Sequence, residues 1–193
     1  MCSPIRLPNL TIAKLEYLFD TNYDKFPKLE YVLVLLKYLK HRDGIMVNCA
    51  YFRTIINNAR VARLATIDSG CKPYMVPVVF VCDNDDRYYI PIDKKFKKSS
   101  EPGRLKRVRN IEANPNVALL IDEYTEDWAK LYFIMIQGIA LLVGNKSEQD
   151  QSQNHIERAH KLLSEKYFQY REVGIGDYVI MIYPQKVITW KNH

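Results

Sequence analysis

Between Val61 and Ile92 three β-type segments follow one another across short turns. Val61 to Ile67 is followed by the tight turn Asp68-Ser69-Gly70, Tyr74 to Cys82 by the polar string Asp83 to Asp86, and Arg87 to Ile92 completes the run. A parallel pair needs a crossover of about a dozen residues or more, so these segments must belong to an antiparallel sheet. Pro77 has no N–H to give to a ladder, which puts its segment at an edge or a bulge.

The rest of the chain fits the same architecture. Arg104 to Ala113 reads as a helix stopped by Asn114-Pro115, and Val117 to Asp122 and Lys130 to Val143 as strands around an acidic loop. Gly138 breaks the second of these, as at a bend in a closed barrel. Glu148 to Phe168 is a long polar helix, Gly174 and Gly176 form a loop, and Tyr178 to Tyr183 and Lys186 to Trp190 are the last strands. Short strands with few intervening helices predict a mainly β (α+β) antiparallel barrel with flanking helices rather than a doubly wound sheet. Upstream, Leu10 to His41 has helical spacing and Asp43-Gly44 ends it, while Cys49 to Asn58 is a further short helix. The expected division is therefore an N-terminal helical extension, 1–45, and a barrel domain, 46–193; translation starting at Met46 is the other reading of that boundary.

Composition narrows the setting. With 193 residues, 48% hydrophobic and 26% charged, the chain can build its own core and is not a disordered or low-complexity scaffold. Met1 to Pro8 carries only Arg6 and no apolar run, so no secretory signal is expected. The greasy stretch Tyr31 to Leu39 is far short of the about 20 residues that cross a bilayer, and no membrane partner is expected. Cys2, Cys49, Cys71 and Cys82 form no CxxC pair, which makes a reduced, cytoplasmic location the default.

The net charge of +6 points to anionic partners without choosing among them. Its densest part is Lys94-Lys95-Phe96-Lys97-Lys98, between Asp93 and Ser99 and just ahead of the Arg104 helix. Unpaired N–H groups at a helix start together with lysines suit a phosphate or carboxylate. Lys106 and Arg109 share a face of that helix, whereas Arg107 points elsewhere. A solvated basic face explains the same spacing equally well. His155 and His160, five apart on a helix, do not form a metal-gripping pair, and no metal site is expected. Nucleophile elbow, dinucleotide fingerprint and Walker loop are all missing. Trp128, after the acidic turn from Asp122, either caps a flat ligand or covers the barrel's end.

The run Ala59-Arg-Val-Ala-Arg-Leu-Ala-Thr-Ile-Asp68 with Pro73-Tyr-Met-Val-Pro-Val-Val-Phe80 resembles the opening of the pyridoxamine 5'-phosphate oxidase-like split barrels. Arg107-Val-Arg-Asn-Ile-Glu-Ala-Asn-Pro115, Asp127-Trp128, Gly138, Lys166-Tyr-Phe-Gln-Tyr-Arg171 and a closing Trp190 follow in the order of the F420-dependent subgroup. The resemblance spans Cys49 to Trp190. It implies an antiparallel split β-barrel homodimer with a deazaflavin or flavin in a groove at the subunit interface. The cofactor phosphate would then fall to the Asp93 to Arg109 tract, with Lys95, Lys97, Lys98 and Arg109 as holders and Asp93, Ser99 and Lys106 beside them. Val76, Pro77, Val78 and Val79 would line the ring system, with Trp128 at its edge. The implied activity is an F420-dependent oxidoreductase passing a hydride between the cofactor and a small-molecule acceptor, the catalytic side chain being unassigned. An FMN-binding or haem-binding split barrel is the nearest alternative. A non-catalytic cofactor carrier or nucleic-acid module using Lys94 to Arg109 is a third, with nucleic acid the less expected partner.

Overall fold

The computed structural model describes residues 50–92, 105–144 and 150–192. In chain order the elements are α1 (Ala50–Asn58), β1 (Ala62–Ile67), β2 (Pro73–Val78), β3 (Val81–Cys82), β4 (Tyr88–Pro91), α2 (Lys106–Ala113), β5 (Asn116–Glu123), a 3-10 turn (Trp128–Lys130), β6 (Tyr132–Gly144), α3 (Asp150–Lys166), α4 (Gln169–Val173) and β7 (Tyr178–Lys191). The expected boundary near residue 45 lies outside the described residues.

The strands form one sheet in the order β2-β1-β5-β6-β7-β4-β3, every neighbouring pair antiparallel. Two expectations need correction. The segment Tyr74 to Cys82 is not one strand: β2 ends at Val78 on one edge of the sheet and β3 begins at Val81 on the other. Three residue steps span at most about 11 Å, so both edges are forced close together and the sheet has to roll up. The two edges are not hydrogen-bonded to each other, which leaves the barrel split. Pro77 sits on the edge strand, opposite Arg63, where its missing N–H costs no ladder bond.

Conversely, Tyr178 to Tyr183 and Lys186 to Trp190 are one strand, β7. Pro184 does not end it because the ladder with β6 takes up the irregularity: Gln137 pairs with Lys186 and Gly138 with Pro184, so Gln185 is bulged out. The long helix expected over Glu148 to Phe168 is α3, and a separate short helix that was not expected, α4, follows it and ends at Gly174 with φ of 73°.

Side chains alternate into two apolar layers. From β4 and β7, Tyr88, Ile90, Ile180 and Ile182 enter the barrel interior with Leu64, Phe80, Leu119 and Ile136. Their neighbours Tyr89, Val179 and Met181 point the other way, under Ile156, Ala159 and Leu163 of α3. Those three share one stripe of the helix, so α3 covers the outer face of β4 and β7. Among the described residues no helix is long and apolar enough to cross a membrane.

Candidate functional site

The free edge of β2 runs the length of β1; the first turn of α2 meets it at the Asp68 end, beside Tyr74, while Val76 to Val78 stand opposite Leu64 to Ala62 at the other. Along β2, Val78 is buried, Val76 half-buried and Pro77 exposed, with half-buried Val79 just past the strand. β2 pairs only with β1, so one side of its backbone is open. The turn after β1 is wound around the Asp68 carboxylate, whose Oδ1 accepts from the amides of Gly70 and Lys72 at 3.0 and 2.9 Å. These bonds, Lys72 first, and Lys106 hold the Asp68 carboxyl below its ordinary range. Lys106 Nζ lies 3.4 Å from Asp68 Oδ2 and 5.1 Å from the centroid of the Tyr74 ring. Its charge is thus already answered within the chain. Arg109 is exposed.

Arg107 behaves differently. It lies three and four residues before Asn110 and Ile111, both buried, and so shares their side of α2. Asn110 ties that side to β1 through Nδ2 to Thr66 Oγ1 at 2.9 Å. Arg107 Nε is buried there without a hydrogen-bond partner. An orphaned guanidinium N–H in a buried position is costly unless something accepts from it. The helical-wheel reading passed over Arg107 because it followed the lysine-rich face. The signal that identifies it is Asn110-Ile111, where the apolar side of the helix begins.

Asp93, Lys95, Lys97, Lys98 and Ser99 lie outside the described residues. Trp128 is 65% exposed on its 3-10 turn, which Asp127 caps through the Ala129 amide. It is not beside α2. The Lys106–Asp68 contact puts the first turn of α2 near the start of β5, whereas Trp128 follows the end of β5. At about 3.3 Å per residue, those ends are roughly 23 Å apart.

A second polar cluster joins the β3–β4 turn to α3. Asp83, 4% exposed, accepts the amides of Asp85 and Arg87 on Oδ1, each at 2.9 Å. Its Oδ2 accepts from the Tyr89 hydroxyl at 3.0 Å and from Arg158 at 3.1 Å. Because the one Tyr89 proton goes to Asp83, His155 Nδ1, 3.1 Å from that hydroxyl, must be the donor, leaving Nε2 unprotonated. His160 Nε2 meets the Gly176 carbonyl at 3.1 Å instead.

Burial first, then Arg87 and Arg158, hold the His155 imidazole below its ordinary value, against the opposite pull of Asp83 and Asp85. The folded chain therefore resists the proton that the unfolded chain accepts. This contribution is constant above the unfolded value of about 6.5 and costs stability as the pH falls below it. Urea unfolding at pH 7.5 and 5.5 (both about one unit from that value) should show a larger loss for the wild type than for His155→Gln. Equal losses would show that His155 titrates as freely folded as unfolded.

Comparison with known proteins gives a consistent result. Residues 50–191 match the family profile described as pyridoxamine 5'-phosphate oxidase. No curated protein matches the chain. Among solved structures, a conserved hypothetical protein of Mycobacterium tuberculosis superposes with a TM-score of 0.58 at 16% identity, covering 78% of this chain and 89% of that one. An FAD-binding protein of Mesorhizobium loti gives 0.52 at 21% identity, covering 73% and 93%. A haem storage protein of Vibrio cholerae gives 0.51 at 15% identity, covering 73% and 92%. Identities this low speak to the fold, and the fold is the same in all three. With the profile running from α1 to the end of β7, over a sheet rolled up and left open between Val78 and Val81, the chain belongs to the pyridoxamine 5'-phosphate oxidase family of split β-barrels.

Proposed function

We propose that this chain is an oxidoreductase that binds a phosphate-bearing flavin-type cofactor, coenzyme F420 ahead of FMN, along the open edge of β2 and the first turn of α2. The observation that carries the reading is the buried Arg107 Nε without an acceptor. A phosphate oxygen supplies the missing partner, and a charge-assisted bond of this kind is worth about 1.5–3 kcal/mol. The net charge of +6 and the motif order of the F420-dependent subgroup favour the more anionic cofactor. When bound, either cofactor supplies two-electron hydride chemistry, and the chain's part is to hold and orient it.

The same reading calls for a homodimer. Trp128 and α2 stand at opposite ends of β5, so one ligand cannot touch both within a single chain. A second copy placing its Trp128 end against the β2 edge would complete the groove.

Fluorescence titration with F420 and, in parallel, with FMN tests this. Arg107→Met should weaken the preferred cofactor roughly tenfold to a hundredfold. Unchanged affinity would remove Arg107 from the site. Binding of neither cofactor, or a Soret band with haem instead, would overturn the reading.

A further inference from the structure

The outer face of β2, β1, β5, β6 and the second half of β7 is largely apolar. Leu120 stands opposite Arg63 on one side and Met135 on the other, and Met135 stands opposite Ile188. Their chain neighbours Leu64, Leu119 and Ile136 belong to the barrel interior, so this row points outward. In the next row toward α2, Ala65 joins Met75 to Ala118. In the next row away from it, Phe133 stacks on Trp190 with ring centroids 6.0 Å apart. Met75 is 59% and Trp190 45% exposed. α1 and α2 turn their apolar sides to the interior, and α3 turns its own to β4 and the first half of β7. No helix among the described residues therefore covers this face, and an apolar patch of such breadth marks an interaction surface.

Charge narrows the partner. On the face itself Arg63 is paired with Asp122, which leaves Lys186 as the one outward charge without an ionic partner among the described residues. The two ends of the face differ from each other. Beyond β5, the loop from Glu123 to Lys130 sets Glu123, Glu126 and Asp127 against the single cation Lys130, which lies 3.0 Å from Asp127. Lys191, opposite Tyr132 at this end, lies over the Tyr51 ring, 4.6 Å from its centroid. At the α2 end, Lys72, Lys106, Arg107 and Arg109 outnumber Asp68 and Glu112, and of these cations Lys106 alone has a carboxylate partner among the described residues. The face is thus close to neutral, with a negative loop at one end and a positive end about 23 Å away.

We propose that this face pairs with the same face of a second copy turned end for end, so that the Glu123 to Lys130 loop of each copy lies against the α2 end of the other. A near-neutral apolar face with opposite charges at its ends is complementary to itself in this orientation. The other two-fold arrangement sets acidic loop on acidic loop, which like charges oppose. Five strands about 4.8 Å apart over about 23 Å give a footprint on the order of 500 Å2. A standard interface takes about 800 Å2 from each partner, so the loops at the ends, with exposed Trp128 among them, have to take part. A nucleic acid or an anionic membrane laid on the face would meet the acidic loop, and a cationic partner would meet Lys72 and Arg109.

The pairing brings Trp128 of each copy to α2 of the other. It deepens the cofactor reading, on whose call for a second copy it rests. Its test uses no cofactor, so a failed pairing and a failed cofactor site show separately.

Sedimentation velocity of the full chain without cofactor should give a dimer with a micromolar or tighter dissociation constant. Leu120→Glu, an outward change at the centre of the face, should weaken it at least about hundredfold. Two charge-reversed chains test the orientation and remain informative should Leu120→Glu not fold. Glu123→Lys with Glu126→Lys makes the acidic loop basic, and Lys72→Glu with Arg109→Glu makes the basic end acidic. Each of these chains alone should pair at least about tenfold more weakly than the wild type, because like charges then meet twice. An equimolar mixture of the two should restore a dimer containing one copy of each. A wild-type chain that stays monomeric at about 100 μM, an undiminished dimer in folded Leu120→Glu, wild-type pairing of either reversed chain alone, or a mixture that forms no heterodimer would each overturn the proposal.

Discussion

Replacing Tyr167 with phenylalanine should destabilise the chain by about 2–4 kcal/mol while leaving its ring packing in place. The hydroxyl sits where the sheet is split. It accepts from the Phe80 amide at 3.1 Å and lies 2.9 Å from the carbonyls of both Phe80 and Arg60, its one proton serving one of them at a time. Phe80 is fully buried and connects the two edge strands, so its backbone groups have neither a ladder nor water to turn to. Without the hydroxyl, a buried N–H and a carbonyl lose their partner at about 1–3 kcal/mol each. For a chain of this size each kcal/mol lowers the Tm by about 2–4 °C, so the melt should move by roughly 4–16 °C. Tyr124→Phe is the matched control, because Tyr124 is 71% exposed and should change stability by less than about 0.5 kcal/mol. A Tyr167→Phe loss as small as the control's would mean that the junction finds its hydrogen bonds elsewhere. Lys166 guards the same junction, its ammonium 4.2 Å from the centroid of the Phe80 ring and brought down to about 8 by burial and by Arg60.

The role of Tyr167 marks the limit of what the sequence made legible. Short turns after Ile67 and Cys82 were enough to give antiparallel pairing, and Pro77 narrowed its segment to an edge or a bulge, of which the structure has the edge. Nothing within Tyr74 to Cys82 shows that this β-forming run changes sides of the sheet midway. What divides it is a hydroxyl 87 residues further on. β7 shows the opposite case: Pro184 looks like the end of a strand, yet the bulge that absorbs it depends on a glycine in β6. The proposed cofactor region divides in the same way. The edge at Val76 to Val79 could be read directly, because proline and β-branched residues report their own backbone state. Lys106 was indistinguishable from a ligand-holding lysine until the turn brought Asp68 to it. Arg107 had a signal in Asn110-Ile111, but its meaning depended on β1 and β6 covering that side of α2.

Gly138→Ala should cost more than any other single methyl added to the described glycines, about 3 kcal/mol or more, a large share of the stability of an ordinary chain. A Cβ built at Gly138 would lie 2.2 Å from the Tyr183 carbonyl oxygen, 3.0 Å from its carbon and 3.1 Å from Pro184 Cα. All three are backbone atoms in the middle of the β6–β7 ladder, so no rotamer change can relieve the contact. Gly144→Ala separates this from a general intolerance of the strand. Its Cβ would come within 2.4 Å of Tyr178, but of ring atoms that can swing aside, and overpacking of that kind costs about 1–3 kcal/mol. Comparing urea midpoints of the two variants isolates the backbone clash, with Gly138→Ala expected to be the worse by a clear margin. If it were the milder, Gly138 could not stand opposite Pro184, and the bulge that lets β7 run unbroken past its proline would have to lie elsewhere in the strand.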